Sequence, residues 1–240
     1  MKLWKSWVIA TKDFNIFLKK KRILYTLIIL PLLISIGLPI VISSLDSPGT
    51  EIISLLNAFS YFYIILSIIQ SSTLASYSIL GEKIEQSLEP LLATPTTDSE
   101  LLLGKTIASF LPCIGVIYVS SIIFMVLSDA ITNNTIGYLF FPNWNMAFIL
   151  LLAVPLSSIL SVQLNVIISA RVNDVRTANQ LGLLLEIPFL GVYLMLVTNI
   201  ASLNIINILA IITLLLLTVA AFFYLNKTIF QRDKILTQWK

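Results

Sequence analysis

The chain has 240 residues, of which 58% are hydrophobic and only 11% are charged, with a net charge of +3. A soluble domain carries about a quarter charged residues, so the composition excludes an ordinary soluble protein and predicts a protein of the lipid bilayer. The sequence contains no histidine and one cysteine, which removes the commonest metal ligand and acid–base group and excludes an internal disulfide. We therefore predict no enzyme activity, no metal and no cofactor for this chain.

Residues 1–22 predict an amphipathic helix that lies flat at the membrane surface. At about 100° per residue, one arc of this helix is apolar and consists of Trp4, Trp7, Val8, Phe14 and Leu18. The opposite arc is polar and consists of Lys2, Lys5, Lys12, Asp13, Lys19 and Lys20, interrupted by Ile9 and Ile16. A basic helix with tryptophan at its edge is typical of interfacial helices. The alternative is a frayed basic tail that only fixes orientation.

Six apolar runs follow that are long enough to cross a bilayer as helices, which takes about 20 residues each. The predicted spans are Ile23–Ser43, Ile52–Leu80, Leu101–Leu127, Trp144–Ala170, Thr177–Thr198 and Ile205–Leu225. Prolines within these runs favour kinks. The segment between spans 3 and 4, residues 128–143, is predicted to be a loop and contains the glycosylation pattern Asn133-Asn134-Thr135.

The distribution of basic residues predicts the orientation of these spans. All 15 Lys and Arg residues fall within residues 1–22, 81–105, 171–176 or 226–240, where Lys105 belongs to the first turns of span 3. The other three connections contain none. Because basic residues are retained on the cytoplasmic side, both termini and the connection between spans 2 and 3 are predicted to be cytoplasmic.

That connection, residues 81–100, is acidic in a basic protein, and we call it the acidic connector. Between Gly81 and Lys105 there are five acidic residues and two basic ones. Apolar residues at helical spacing share one face, namely Ile84, Leu88, Leu91 and Leu92, and acidic residues lie along its flank, namely Glu82, Glu85 and Glu89. Anionic lipid repels such a segment. We predict short helical pieces, broken near Pro90 and Pro95, that bind a protein partner.

The start of span 3 has two further patterns. Thr97 and Glu100 form a capping box, which predicts that the helix begins near Asp98. The residues Gly104-Lys105-Thr106 resemble the end of a phosphate-binding loop, but Ser99 stands where that loop needs its first glycine. ATP hydrolysis is therefore not predicted for this chain.

One acidic residue, Glu186, lies near the middle of span 5, beside Pro188. Ionisable residues at such depth are costly and suggest function. Glu186, Gln70 and Gln163 are the candidate residues of a translocation path, in which Glu186 meets a cationic substrate or a proton. The alternative is a hydrogen bond between Glu186 and a polar residue on another helix, such as Gln70, Ser71, Ser72 or Gln163.

The acidic connector resembles the cytoplasmic signature of type-2 ABC transporter permeases. The resemblance is carried by Gly81-Glu82-Lys83-Ile84-Glu85-Gln86-Ser87-Leu88-Glu89-Pro90-Leu91-Leu92-Ala93-Thr94-Pro95 and by Ser99-Glu100-Leu101-Leu102-Leu103-Gly104-Lys105. In that family the segment is a coupling helix seated on a separate ATPase, and two six-span halves form the path. The resemblance implies that Glu82, Ile84, Glu85, Leu88, Glu89, Leu91 and Leu92 contact the ATPase.

The sequence thus predicts an all-α integral membrane protein with one domain over residues 1–240. Its parts are an N-terminal amphipathic helix (1–22), spans 1 and 2 (23–80), a coupling segment (81–100), spans 3 to 6 (101–225) and a basic tail (226–240). The expected role is the permease subunit of an ATP-driven exporter in the cell membrane. Its expected partners are an ABC ATPase, a second permease copy or paralogue, and lipid, but no nucleic acid. The rival functions are a channel or secondary transporter that uses Glu186 as its ion site, and a membrane scaffold.

Overall fold

The computed structural model describes residues 3–44, 49–84, 98–172, 174–184 and 186–229. Within these ranges every regular element is a helix. In chain order they are α1 (Leu3–Lys19), α2 (Lys21–Ser43), α3 (Gly49–Ile84), α4 (Asp98–Ile136), α5 (Trp144–Phe148), a π-helix (Ile149–Ala153), α6 (Val154–Arg171), α7 (Val175–Leu183), α8 (Glu186–Val197) and α9 (Ile205–Ile229).

The prediction of an all-helical, multi-pass membrane protein is confirmed. By length and hydropathy, five spans qualify, namely Ile23–Ser43, Gly49–Ser78, Leu103–Asn133, Trp144–Ser169 and Ile205–Leu225. The helices α7 and α8 form a sixth if this bent pair counts as one span. The first and last spans have the bounds expected from the sequence, because long runs of apolar residues define a membrane helix without help from packing.

The second span is the centre of the molecule. In its most apolar window 67% of the residues are buried, against 17% for the span in α9. The helix α3 packs against α4, α6, α7 and α8. Several of its serines, namely Ser60, Ser67, Ser71 and Ser76, are fully buried. Small side chains allow neighbouring helix backbones to approach closely, which explains how one helix contacts several others.

The helix α4 is longer than the sequence predicts. Span 3 was expected to end near Leu127 and to be followed by a loop, but the helix continues to Ile136, so the loop prediction is wrong for residues 128–136. The chain then turns at Gly137, whose φ of +82° suits glycine at a helix end. The carboxylate of Asp129 accepts hydrogen bonds from the backbone N–H groups of Phe140 and Phe141, both at 3.0 Å. These bonds hold the following segment against the helix.

Irregular helix geometry accompanies two of the prolines, Pro155 and Pro188. The π-helix immediately precedes α6, which has Pro155 in its first turn. Pro188 lies in the first turn of α8, and the axes of α7 and α8 differ by 41°. Proline is tolerated near a helix start because the backbone N–H that it lacks would have no partner within the helix there. The kink predicted beside Glu186 is therefore confirmed, and it takes the form of a break between two helices.

Candidate functional site: the base of the acidic connector

The helices on either side of the acidic connector are joined by the N-terminal helix. The helix α3 ends at Ile84 and α4 begins at Asp98, as the capping pattern predicted for α4. The helix α1 packs along α4 and also touches α2. We call the polar contact between these elements the connector junction, defined by Asp13 on α1, Ser78 on α3 and Lys105 on α4.

The connector junction contains a buried ion pair. Lys105 Nζ lies 3.5 Å from Asp13 Oδ2, and both side chains are at most 3% exposed. The ammonium group also donates a hydrogen bond of 2.7 Å to the backbone carbonyl of Ser78. The hydroxyl of Ser78 donates to Asp13 Oδ2 in turn. Three segments that are distant in sequence therefore share one charged hydrogen-bond network.

Close backbone packing accompanies this network. A Cβ atom added to Gly104 would lie 2.8 Å from Ile9 Cβ and 2.8 Å from the backbone oxygen of Ser6. These atoms belong to a rigid helix, so they cannot turn aside for a larger side chain. Glycine at position 104 thus permits α1 to lie against α4, and it is the residue directly before Lys105.

The structure corrects one part of the prediction for α1. Asp13 and Ile9 were assigned to a solvated polar arc, but both are buried. The predicted apolar arc, which includes Trp4, Trp7 and Phe14, is exposed. The error came from treating α1 as a helix that contacts only lipid and water. With a neighbouring helix present, Ile9 and Asp13 lie on the face that packs against α4.

The predicted ATPase-contacting residues are only partly covered by the described ranges. Glu82 and Ile84 belong to the last turn of α3. The other five, Glu85, Leu88, Glu89, Leu91 and Leu92, lie outside the described residues, as do Pro90, Pro95 and Thr97. Their role therefore stays a prediction.

The three candidate path residues lie on different helices. Glu186 is the first residue of α8, is buried, and its Oε1 atom has no hydrogen-bond partner among the described residues. Gln70 on α3 donates from Nε2 to the backbone oxygen of Thr26 on α2, at 3.3 Å. Gln163 is buried on α6. The amide of Gln70 thus links spans 1 and 2, and the proposed path role of all three residues remains a prediction.

Other buried polar residues form a seam between α3 and α6. Ser67 pairs with Ser157, and Ser71 pairs with Ser158 at 2.6 Å. Further along, Asn165 accepts from the Ser76 hydroxyl at 2.8 Å. Its amide nitrogen donates to the Ser72 hydroxyl and to the Ser161 backbone oxygen, both at 2.9 Å. Because these groups satisfy one another, they act in helix packing, as the sequence suggested.

A comparison with protein families identifies the chain. Residues 17–177 match the model of the family described as "ABC-2 family transporter protein". No curated protein matches the chain. The match covers more than half of the chain, and it includes Ser78 and Lys105 of the connector junction and both helices that border the acidic connector. The chain belongs to the ABC-2 transporter family and is a multi-pass membrane permease.

Proposed function

We propose that this chain is the membrane-spanning subunit of an ATP-driven exporter. A separate ABC ATPase binds the acidic connector in the cytoplasm, where both termini also lie. A second copy of the chain or a paralogue supplies the other half of the path. Glu82, Glu85 and Glu89 face basic residues of the ATPase, and Ile84, Leu88, Leu91 and Leu92 anchor in an apolar groove.

The connector junction is the observation that supports this proposal. A segment that receives force must be joined firmly to the spans that move. Here the helices at both ends of the acidic connector share the buried Asp13–Lys105 pair and the bonds to Ser78. The helix that leads into the acidic connector, α3, is also the most buried span. Movement of the acidic connector would therefore reach the centre of the bundle.

Charge reversal tests the proposed ATPase contact. The chain is co-expressed with a candidate ABC ATPase, and the ATPase recovered with the tagged permease is measured. Glu82→Lys, Glu85→Lys and Glu89→Lys together should lower recovery by at least about tenfold, because attraction becomes repulsion. The matched control reverses the charges of Asp46 and Glu51. Asp46 precedes α3 in the sequence and Glu51 lies in its first turn, at the end away from the acidic connector. Equal recovery of the ATPase by both variants would contradict the proposal.

A second variant tests the apolar anchor separately. Leu88→Asp with Leu91→Asp should also reduce recovery of the ATPase, while membrane insertion and the elution volume of the permease stay unchanged. Substrate-stimulated ATP hydrolysis should fall in parallel. A permease that binds the ATPase normally but no longer stimulates it would place the coupling step elsewhere.

A second candidate function rests on Glu186. A buried carboxylate whose Oε1 has no hydrogen-bond partner in the described part of the chain, beside the break between two half-spans, is a feature of ion sites in transporters. In this alternative the chain is a channel or secondary transporter, and Glu186 binds the coupling cation. Transport by the reconstituted chain alone, without an ATPase or ATP, distinguishes the two functions. Glu186→Gln should then abolish transport and leave assembly intact.

A further inference from the structure

The connection between α8 and α9, residues 198–204, is short and has a defined backbone shape. The backbone of Asn199 is left-handed, with a φ of +59°, and such a residue commonly follows the end of a helix. The backbone N–H of Ala201 then donates to the carbonyl of Met195 at 3.0 Å. The chain therefore turns tightly after α8 and presents fixed polar groups to its neighbours.

Two hydrogen bonds hold this connection against other spans. The hydroxyl of Ser54, in the second turn of α3, donates to the side-chain oxygen of Asn199. The side-chain amide of Asn145, in α5, donates to the backbone oxygen of Leu203 at 2.9 Å. We call these two contacts the outer latch. They lie at the end of α3 that is opposite to the acidic connector.

The outer latch joins the connection to a pair of spans that are already bonded to each other. The amide of Asn145 also donates to Asn57 Oδ1 of α3, at 3.2 Å. The helix α5 continues through the π-helix into α6, and α6 is bonded to α3 along the serine seam. The helices α3 and α6 thus form one unit, and the outer latch is a contact between that unit and residues 198–204.

A pocket of about 190 Å³ lies between α3 and the connection. It is lined by Thr50, Ile53, Ser54 and Asn57 of α3, by Leu196 of α8 and by residues 201–204. None of these lining residues is ionisable. Two residues of the outer latch, Ser54 and Leu203, form opposite walls, so release of the outer latch would widen the pocket.

The two ends of α3 are held by different kinds of contact. At the connector junction the charges of Asp13 and Lys105 are almost fully buried, and separating them would leave buried charges unpaired. Every group of the outer latch is neutral, and Asn199 is exposed. A neutral hydrogen bond that water can replace contributes little net free energy. The outer end of α3 is therefore the end that can be released at low cost.

We propose that the outer latch closes the outer end of the translocation path and is released in each transport cycle, when α3 and α6 move away from residues 198–204. The connector junction stays intact and transmits the movement. This role rests on the proposed function, since an exporter must open on the side away from its ATPase.

The accessibility of a cysteine in the pocket measures release of the outer latch. In the parent chain for this test, Cys113→Ala removes the single cysteine and Leu196→Cys places a thiol in the pocket. A membrane-impermeant maleimide is added from outside, and the labelling rate is measured. Asn145→Asp keeps the shape of the side chain but cannot donate to Leu203, so labelling should become about tenfold faster. Adding Ser54→Ala should increase the rate further.

Two control variants separate the outer latch from general loosening of the protein. Asn204→Asp makes the same chemical change in the pocket, but within the described part of the chain the Asn204 side chain bonds to Ser202 of the same connection. Asn57→Ala removes a bond inside the α3–α6 unit and keeps the bond to Leu203. Both variants should be labelled like the parent chain, and every variant should keep the parent's elution volume.

Nucleotide trapping separates the outer latch from ATP coupling. With a candidate ABC ATPase that is recovered with the chain, ATP and orthovanadate should speed labelling of the parent chain to the level of Asn145→Asp. Faster labelling in Asn145→Asp without any effect of trapping would contradict the ATP-driven function and support the outer latch as a barrier. Equal labelling rates in the parent chain, Asn145→Asp and the double variant would overturn the outer latch, whatever the effect of ATP.

Discussion

Lys105 Nζ lies 3.5 Å from Asp13 Oδ2 in a region where neither side chain is more than 3% exposed. Two opposing effects determine the stability of such a pair: removing both charges from water costs free energy, and the attraction between them returns some of it. The hydrogen bonds from Lys105 and from Ser78 favour the paired state. Stability should therefore depend strongly on keeping both partners together.

Removing one partner should destabilise the protein much more than removing both. Lys105→Met leaves the Asp13 carboxylate buried without its countercharge, which typically costs about 3–5 kcal/mol. The double variant Asp13→Leu with Lys105→Met removes both charges and should recover most of that loss. The measurement is the free energy of unfolding in mixed micelles of detergent and dodecyl sulfate.

The matched control for this cycle is Lys19→Met, which removes an exposed lysine of α1. It should leave the free energy of unfolding nearly unchanged. The cycle also needs the single variant Asp13→Leu. If the double variant loses as much free energy of unfolding as the two single variants together, the charges do not stabilise one another.

Gly104 should tolerate no side chain. Gly104→Ala places Cβ 2.8 Å from Ile9 Cβ and from the Ser6 backbone oxygen, so α1 must shift away from α4. Overpacking of this kind costs about 1–3 kcal/mol. Hydrogen exchange should rise in the backbone amides of α1. Gly115→Ala, in the same helix, meets no atom within 4 Å and should exchange like the wild type.

Asn165 should be the most sensitive residue of the α3–α6 seam. Its side chain bonds to Ser76, Ser72 and the Ser161 backbone. Asn165→Ala removes all three bonds, at about 0.6 kcal/mol each in a membrane protein, so unfolding should become easier by about 2 kcal/mol. Asn15→Ala, at an exposed position of α1, is the control. Equal losses in the two variants would show that the seam adds nothing to stability.

Asp174 should stabilise the start of α7 in a pH-dependent manner. The backbone N–H of Thr177 donates to Asp174 Oδ2 at 3.2 Å, and this bond lowers the pKa of Asp174 below its ordinary value. A lowered pKa means that the contribution is fully present above the ordinary value of about 3.9 and is lost as pH falls through the lowered one.

Hydrogen exchange of the Thr177 amide measures this cap. Protection in the wild type should decline at acidic pH after correction for intrinsic exchange rates. Asp174→Asn keeps an acceptor without a titrating group, so its protection should be independent of pH. Asp174→Ala should lose protection at every pH. A pH-dependent Asn variant would refute the titration of Asp174 as the cause.

The spans could be predicted from the sequence because the bilayer imposes a local rule. Each apolar run must satisfy its own backbone hydrogen bonds, and span 1 and the span in α9 consequently have the predicted bounds. The predicted end of span 3 was too early because residues 128–136 are less apolar, so hydropathy does not mark them as part of the helix. The contacts of Asp129 with Phe140 and Phe141 form only in the folded chain.

The connector junction could not be predicted from periodicity alone. On a helical wheel Asp13 lies among lysines, and a wheel contains no information about a neighbouring helix. The available signals were the interruption of the polar arc by Ile9 and the small residue Gly104 before Lys105. Each becomes interpretable only when α1 and α4 are placed side by side. The acidic connector was recognisable because its charge differs from that of its surroundings.

The regular spacing of serines along α3 has a mechanical consequence. Ser67 and Ser71 are one helical turn apart, and they pair with Ser157 and Ser158 of α6, a helix that runs parallel to α3. A slide of α3 by one turn, about 5.4 Å, would bring Ser71 level with Ser157. Ala75 would then lie opposite Ser158, and Leu80 would take the place of Ser76 beside Asn165, so buried polar groups would lose their partners. The seam thus holds α3 and α6 in one register, and a pull on the end of α3 would move the two helices together.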